Sequence, residues 1–288
     1  MATSRIDRIA APGKSIGQSV IRRSIPVTRT WKPARRPSAA GVPLLAILAT
    51  ALSRTISGGL AFDNISFNNF ILVFSNSAGA VGALVNSFSL GIGTALITGL
   101  IGVMAAYTVV KTKIRGRIAI DTLTIIPNAL PGIVVAVGLI LAWNMPWLPA
   151  TPYNTALILL LAYCCILLPQ PVRYTTAAFQ QIGDNLEAAA RVFGASGLTA
   201  FRRILLPLVF PSLASAMLLV FALASRELVA SVVVAPVGMQ TIATFIWRQF
   251  EQGSIGLGMA MAFIAILITT LLPLLLLTLL RRSGLVAE

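Results

Sequence analysis

The chain has 288 residues, of which 57% are hydrophobic and 10% are charged, and its mean hydropathy is +0.89. Soluble domains carry about 25% charged residues, so this composition is typical of a protein that crosses a membrane several times. Histidine is absent, which removes the usual general base, the commonest zinc ligand and any imidazole-dependent catalytic triad. The composition therefore disfavours a hydrolytic enzyme.

The formal net charge of +14 does not indicate a nucleic-acid partner, because the basic residues are scattered along the chain. Nine of the 22 basic residues precede residue 40. Most of the others lie in short polar segments that flank apolar runs: Lys111, Lys113, Arg115, Arg117, Arg173, Arg191, Arg202, Arg203, Arg281 and Arg282. Such a distribution fixes the orientation of a protein in a membrane.

The chain begins with a basic leader, residues 1–40, in which Asp7 is the only acid and four residues are proline. No packed core is expected there. Three interpretations compete: a disordered cytoplasmic tail that touches anionic lipid, a linker or mis-set start from a longer polypeptide, and an arginine-rich transit peptide. The tail or linker is favoured, and residues 41–288 are predicted to form the transmembrane domain.

Six apolar segments approach the roughly 20 residues that a helix needs to cross a bilayer core about 30 Å thick. They cover residues 42–61, 82–110, 118–143, 153–169, 208–233 and 257–280. Because lipid offers the backbone no hydrogen-bond partners, the predicted fold is an all-α membrane protein with about six transmembrane helices. Placing the basic segments inside puts both termini and the 111–117 and 170–206 loops in the cytoplasm.

The first span is the weakest, because Arg54 interrupts it; it is interpreted as a signal anchor with this side chain reaching the outer interface. The apolar segment 65–74 is too short to span and is predicted to lie along the outer interface. In the third span, Pro127, Pro131 and Gly132 are expected to break the helix. Such a break marks either a transport path or a packing kink, and both interpretations stay open.

Four glycines of the second run, Gly91, Gly93, Gly99 and Gly102, are interpreted as sites of close helix packing. Cys164 and Cys165 are adjacent in an apolar run. Neighbours in a helix point about 100° apart, so this pair is interpreted as small hydrophobic side chains and not as a disulfide or a metal site.

The polar loop between the fourth and fifth spans contains two predicted short helices. Asp184 and Glu187 have the spacing of an acidic capping box, so the first helix is expected to begin near Asn185. Glu187 can pair with Arg191 one turn later. An apolar stripe is formed by Leu186, Ala189, Ala190 and Phe193.

Gly194 and Gly197 mark a turn, after which Leu198–Leu206 is predicted to form the second helix, ending at Pro207. A short helix with an alanine-rich stripe suits docking in a groove of a partner protein. Periodicity alone favours the alternative, an amphipathic helix lying on lipid.

The sequence of this loop resembles the cytoplasmic loop of ATP-binding-cassette (ABC) importer permeases. The matching positions are Glu187, Ala188, Ala189, Gly194, Ile204, Leu206 and Pro207. The resemblance implies that loop 185–206 couples the spans to a cytoplasmic ATPase and that the chain has no catalysis of its own. It implies as partners a pair of ABC ATPase subunits, a periplasmic or extracellular solute-binding protein and a second permease subunit, in the bacterial inner membrane. The chain contains no phosphate-binding P-loop, so no cofactor is expected on it and ATP would act through the partner.

Further segments are similar to the branch of this family that handles iron(III), 2-aminoethylphosphonate or thiamine, which implies iron(III) or a phosphonate as the solute. They are Asn86-Ser87, the segment 127–132, Tyr153-Asn154-Thr155 and Arg226-Glu227-Leu228. Arg226 and Glu227 lie within the fifth apolar run, where a charge costs roughly 2.5 to 3.5 kcal/mol. With Asn128 and Pro131 they are candidate residues of a translocation path; a structural bridge to another span, or a place nearer the outer interface, is the alternative.

Two other classes of protein compete. A secondary transporter or channel would need no ATPase, but it gives no reason for the pattern at 187–207. A membrane-embedded enzyme would need a catalytic constellation, for which a chain without histidine and with 8 acidic residues has few groups.

Overall fold

A computed structural model describes residues 38–59, 61–75, 79–146 and 150–282. The predicted leader, residues 1–40, lies outside the described residues except for its last three positions. Over the described ranges the chain is helical and forms no strand; a single isolated bridge pairs Ser53 with Ile65. The predicted all-α class is confirmed.

The α-helices follow one another with short connections. They are α1 (Ser38–Leu52), α2 (Asn68–Phe74), α3 (Ala80–Lys111), α4 (Arg117–Ile125), α5 (Gly132–Trp143), α6 (Ala156–Leu167), α7 (Pro169–Gln181), α8 (Asp184–Val192), α9 (Gly197–Ala200), α10 (Leu206–Ala224), α11 (Val229–Val234), α12 (Ile242–Glu251) and α13 (Ile255–Arg282). A 3₁₀ turn, Ile126–Ala129, follows α4, and a π-helical turn, Phe201–Leu205, joins α9 to α10.

Three described helical segments are long and apolar enough to cross a membrane, namely Ala80–Lys111, Gly197–Ala224 and Ile255–Leu279. Two bent pairs, α4 with α5 and α6 with α7, raise the number to as many as five. The second and sixth predicted spans correspond closely to α3 and α13. The predicted total of six complete spans is not reproduced within the described ranges.

Helix α3 lies at the centre of the packing. It contributes Leu90 and Ala95 to a cluster with α5, α6, α10 and α11. Its first turns join a second cluster with α1, α2, α12 and α13, and its last turns join a third with α7 and α10. Because these clusters follow one another along α3, this helix connects the two ends of the bundle.

The described part of α1 is shorter than the predicted first span, 42–61. It has 15 residues, which extend for about 22 Å, less than a bilayer core. The helix ends at Leu52 because Asn69 of α2 donates its side-chain amide to the carbonyls of Ala51 and Ser53, at 2.8 and 3.0 Å. The predicted outer segment 65–74 therefore forms a short helix that closes the end of α1, and Arg54 lies in the exposed turn beyond it.

The third predicted span is broken where the prolines predicted it. Helix α4 and its 3₁₀ turn meet α5 at an angle of 114°. Pro131 is the N-cap residue of α5. An angle this large is a discontinuity of the helix. It is larger than a packing kink, which was one of the two interpretations of these prolines.

The fourth predicted span, 153–169, continues further than predicted. Pro169 stands in the first turn of α7, where its missing N–H is tolerated, and the chain bends by 41° and continues as a helix to Gln181. The polar connection to the fifth span therefore begins at Ile182 and not at residue 170.

The prediction that a second loop helix ends at Pro207 is wrong, because the helix is continuous from Gly197 to Ala224. A proline ring clashes with the carbonyl one turn before it. The π-helical turn Phe201–Leu205 immediately precedes Pro207 and widens the helix there, which accommodates the ring.

Candidate functional site

Helix α8 lies in the loop that the sequence singled out. It begins at Asp184 with Gly183 as its N-cap residue, so the predicted capping box with Asp184 outside the helix is wrong. At the other end of α8, the amide of Ala195 donates a hydrogen bond to the carbonyl of Ala190 at 3.0 Å. The amide of Gly194 donates to the carbonyl of Arg191 at 2.9 Å. This pattern is a Schellman motif, and it requires Gly194 to adopt its φ of +82°.

The apolar stripe of α8 faces outward. Of its four residues, Phe193 is 90% exposed, Leu186 is 46% exposed and Ala189 is also exposed, while Ala190 is buried; Val192, beside the stripe, is 84% exposed. Leaving large apolar side chains in water is unfavourable by roughly 1.5 to 3 kcal/mol for each one that could be fully buried. The stripe is therefore suited to burial against another surface.

The opposite face of α8 is polar and lies against the end of α3. Glu187 accepts a hydrogen bond from Arg191 at 2.6 Å, as the spacing predicted, and its side chain is only 12% exposed. Ala188 lines the same side. Lys111 of α3 donates to the carbonyl of Ile182 at 2.7 Å, just before α8 begins. A crevice of about 460 Å³ separates α8 from the α3–α4 turn.

The remaining predicted loop residues lie away from α8. Ile204 belongs to the π-helical turn, and Leu206 and Pro207 begin α10. Leu206 is half-buried and packs against the cluster around Phe179 of α7 and Val103 of α3. The predicted coupling residues thus form two groups. One group lies on α8 or beside it, and the other lies where α10 enters the bundle.

Arg226 and Glu227 lie in a break between α10 and α11 and not in a continuous helix. Glu227 Oε1 accepts a hydrogen bond from the amide of Ala230 at 3.3 Å, in the first turn of α11. Arg226 is exposed and has no ion pair among the described residues. The two side chains do not pair with each other, as expected for sequence neighbours.

This break lies beside the discontinuity between α4 and α5. A Cβ atom placed on Gly132 would lie 3.9 Å from Val229 at the start of α11 and 3.7 Å from Ile166 of α6. Asn128 and Pro131, which precede α5, are exposed. The structure therefore brings together the two interrupted helices from which the candidate path residues were drawn.

The position of the α10–α11 break along the membrane-spanning direction is given by its contact with α3. A Cβ atom on Gly91 would lie 2.7 Å from Ser225 Oγ, so the end of α10 is level with this residue. Gly91 is separated from Lys111 by roughly 30 Å of helix, about the thickness of the hydrocarbon core. The charged break therefore lies about one membrane thickness from the end of α3 that carries Lys111, which supports the alternative that the two charges are near an interface.

Sequence reasoning missed the residues that brace this break. Tyr163 of α6 is fully buried, and its hydroxyl lies 2.5 Å from Ser231 Oγ and donates to the carbonyl of Glu227 at 3.3 Å. Ser231 also donates to the carbonyl of Glu227. The available signal was a tyrosine inside an otherwise apolar run, because a buried hydroxyl needs a partner.

The segments Asn86-Ser87 and Tyr153-Asn154-Thr155, which gave the weaker resemblance, form hydrogen bonds with the chain after α11. Asn86 donates to the carbonyl of Gln240 at 2.9 Å, and Ser87 accepts from the amide of Ile242 at 2.8 Å. Asn154, at a φ of +59°, accepts from the amide of Val237 at 3.0 Å. These polar groups fix the connection between α11 and α12.

No group of three or more acidic or cysteine side chains within the described ranges could hold a metal ion, and both cysteines there are free. The described residues thus form a helical membrane protein with two features: a short helix with an exposed apolar face beside the spans, and a pair of adjacent helix breaks. Interrupted membrane helices are a common feature of transport proteins.

The chain belongs to the family described as "Binding-protein-dependent transport system inner membrane component", whose sequence profile matches residues 98–283. The match contains α8, the helix breaks and α13. The protein is thus a permease of the ABC importer class and a multi-pass membrane protein.

Several curated proteins are similar to it. A putative 2-aminoethylphosphonate transport system permease protein PhnV of Salmonella paratyphi A is 27% identical over 88% of this chain and 98% of its own length. The trehalose transport system permease protein SugB of Mycobacterium tuberculosis is 30% identical over 80% of this chain and 86% of its own length. The ferric transport system permease protein FbpB of Actinobacillus pleuropneumoniae is 28% identical over 75% of this chain but only 31% of its own length.

Solved structures are similar in fold. A chain of a bacterial ABC transporter involved in the import of the acidic polysaccharide alginate superposes with a TM-score of 0.70. The match covers 86% of this chain and 93% of that one, at 18% sequence identity.

Proposed function

We propose that this permease works as one half of the membrane channel of an ATP-driven importer and that α8 docks in a groove of a cytoplasmic ABC ATPase. ATP binding would close the ATPase pair and displace α8, and the spans would open toward a solute-binding protein outside. A second permease unit, a copy of this chain or a sister subunit, completes the channel. The chain itself supplies no ATPase chemistry.

The observation that carries the proposal is the exposed apolar stripe of α8. Phe193 is almost fully exposed and Leu186 is about half exposed, while the Glu187–Arg191 pair occupies the opposite face of the helix. A surface helix resting on its own bundle would bury its apolar face inward. An apolar face turned outward beside a stiff turn matches the mode in which a helix enters a groove of a partner.

The proposed solute path passes the two helix breaks. Exposed Arg226 and partly exposed Glu227 lie there with Asn128 and Pro131, and irregular backbone at membrane depth is tolerated where it lines a cavity or is buried in protein. The proposed solute is a small charged one, iron(III) or a phosphonate. The names of the relatives, which include a phosphonate, a ferric and a trehalose system, support a solute-binding protein as the source of finer selectivity.

The test is affinity purification of the full chain from native membranes in mild detergent, with mass spectrometry of the partners. Phe193→Ser removes the most exposed ring of the stripe, and Phe62→Ser is the matched control, because Phe62 is 95% exposed in the α1–α2 connection. We expect a P-loop ATPase to be recovered with the wild type and the control and lost with Phe193→Ser. The amount of inserted protein should be equal in all three.

A second variant, Gly194→Asp, changes the residue after the stripe. A Cβ atom there would meet nothing within 4 Å, but the φ of +82° is strained for aspartate. The strain is confined to the turn after α8, so insertion of the spans should be intact while ATP-dependent uptake is abolished. Normal uptake by both loop variants would contradict docking through α8. Absence of any ATPase with the wild type, under conditions that preserve such complexes, would favour a secondary transporter or channel.

A further inference from the structure

The crevice between α8 and the α3–α4 turn is strongly basic. Its walls carry Lys111, Lys113, Arg117 and Arg191, and Glu187 is the acidic residue among its described lining. Arg191 engages Glu187 at 2.6 Å, and neither Lys113 nor Arg117 has an ion pair among the described residues. The volume of about 460 Å³ is that of a small-ligand site and not of a single water.

Two of these cationic side chains, Arg117 and Lys113, have N–H donors without a hydrogen-bond partner among the described residues. Arg117 donates one N–H to the carbonyl of Thr112 at 3.2 Å, which leaves most of its five donors unused. Lys113 is exposed and has no carboxylate within ion-pair distance among the described residues. A guanidinium and an ammonium on one wall form a binding arrangement for the oxygens of a phosphate.

The crevice lies at the end of a helix that is long and apolar enough to cross a membrane. The last residues of α3 and Arg117, the first residue of α4, contribute to its lining. Ile114 and Ile118, which flank the cations in sequence, are 52% and 76% exposed. Basic pockets between membrane helices, with apolar side chains beside them, suit a ligand that carries a phosphate and acyl chains.

We propose that this crevice binds the phosphate of an anionic membrane lipid, with Lys113 and Arg117 as the phosphate-binding residues and Arg191 as the contact to α8. The apolar stripe of α8 lies on the opposite side of that helix, so occupation of the crevice does not compete with docking of a partner on the stripe. The bound headgroup bridges the α3–α4 turn and α8, and thereby fixes the distance between them. The binding itself is independent of whether an ATPase docks.

The proposal is tested on the full chain, purified in a neutral detergent, by native mass spectrometry with added phosphatidylglycerol, phosphatidylcholine or inorganic phosphate. The double variant Lys113→Gln/Arg117→Gln removes two charges from the crevice. The matched control, Arg202→Gln/Arg203→Gln, removes two exposed charges from the π-helical turn, outside the crevice. A third variant, Lys113→Arg, keeps the charge.

We expect phosphatidylglycerol to bind in preference to phosphatidylcholine. The crevice double variant should weaken phosphatidylglycerol binding roughly tenfold to thirtyfold, while the control pair and Lys113→Arg stay within about twofold of the wild type. Equal weakening by both double variants would overturn the proposal in favour of a diffuse basic surface. No weakening by the crevice variant, or equal binding of phosphatidylcholine, would also overturn it.

The source of the phosphate is tested in the same experiment. Inorganic phosphate should displace phosphatidylglycerol only at much higher concentration, because it lacks the apolar contacts. Displacement at equal concentration would overturn the lipid as the ligand and indicate a soluble phosphate compound. Thermal unfolding of each variant in detergent without lipid confirms that binding, and not folding, is compared.

Discussion

Glu227 combines a structural and an electrostatic property in one side chain. Its carboxylate oxygen closes the first turn of α11 by accepting from Ala230, and its backbone carbonyl is held by Tyr163 and Ser231. The neighbouring Arg226 has no such bonds among the described residues and is exposed. The carbonyl of Glu227 is thus held by neutral hydroxyl groups, while its carboxylate has one backbone hydrogen bond from Ala230.

Glu227→Gln separates these two properties. The amide oxygen of glutamine can still accept from Ala230, so we expect wild-type thermal stability, whereas Glu227→Ala should lose about 1 kcal/mol with the cap. If the charge faces the path, Glu227→Gln changes the apparent affinity for solute several-fold in an uptake assay. Unaltered uptake kinetics together with a destabilised Glu227→Ala variant would assign Glu227 a structural role alone.

At the scale of elements, α3 shows how glycine permits close packing of spans. A Cβ atom on Gly102 would lie 2.9 Å from the Pro171 ring and 3.1 Å from the backbone nitrogen of Val172 in α7. Neither atom belongs to a flexible side-chain end. Packing was the interpretation of these glycines from the sequence, and the contacts at Gly102 and at Gly91 support it.

Gly102→Ala and Gly82→Ala form a matched pair on the same helix. A methyl group on Gly82 would meet nothing within 4 Å, so alanine there should gain about 0.5 to 1 kcal/mol from helix propensity. Gly102→Ala should instead lose about 1 to 3 kcal/mol, because α7 must move. Thermal unfolding in detergent measures both, and equal stabilisation by the two changes would show that α3 and α7 separate freely.

Sequence patterns predicted some elements well and others poorly for identifiable reasons. Apolar length located α3 and α13, because the charged residues of each helix lie only at its C-terminal end and the helix of α13 continues through Pro273. The same criterion failed at Pro169 and Pro207, where a bend and a π-helical turn accommodate a ring that normally ends a helix. It also failed at Leu52, since the side chain that closes α1 comes from Asn69 and no local pattern indicates a contact of this kind.

In the candidate site, too, some features could be predicted from the sequence and others could not. The Glu187–Arg191 pair and the turn at Gly194 depend on local spacing, and the structure contains both. The N-cap of α8 and the bracing of Glu227 by Tyr163 were not predictable in this way. A tyrosine and a carbonyl so far apart in sequence meet only once the spans have packed.

At the scale of the whole molecule, the distribution of basic residues predicts how the protein is oriented in the membrane. The α3–α4 turn, α8 and the π-helical turn carry Lys111, Lys113, Arg115, Arg117, Arg191, Arg202 and Arg203, while the segment from α11 to α13 holds Arg248 before the end of α13. The positive-inside rule therefore predicts that α8 lies in the cytoplasm and that the α12 side lies outside.

Single cysteines test this orientation in a background where Cys164 and Cys165 are replaced by alanine. Gln252→Cys, in an exposed turn after α12, should react with a membrane-impermeant maleimide on intact cells. Arg115→Cys, in the exposed α3–α4 turn, should react only after the membrane is permeabilised. The reverse pattern would invert the topology and exclude α8 from contact with any cytoplasmic protein.

The unbroken helix from Gly197 to Ala224 has a mechanical consequence. It starts beside the stiff turn at Gly194 and ends at the charged break, so it forms a lever about 42 Å long. Tilting such a rod by about 5° around its lower end moves its upper end by nearly 4 Å, on the order of the width of a small ion with part of its water. If α8 tilts this helix, as proposed, the displacement is larger at the charged break than beside α8.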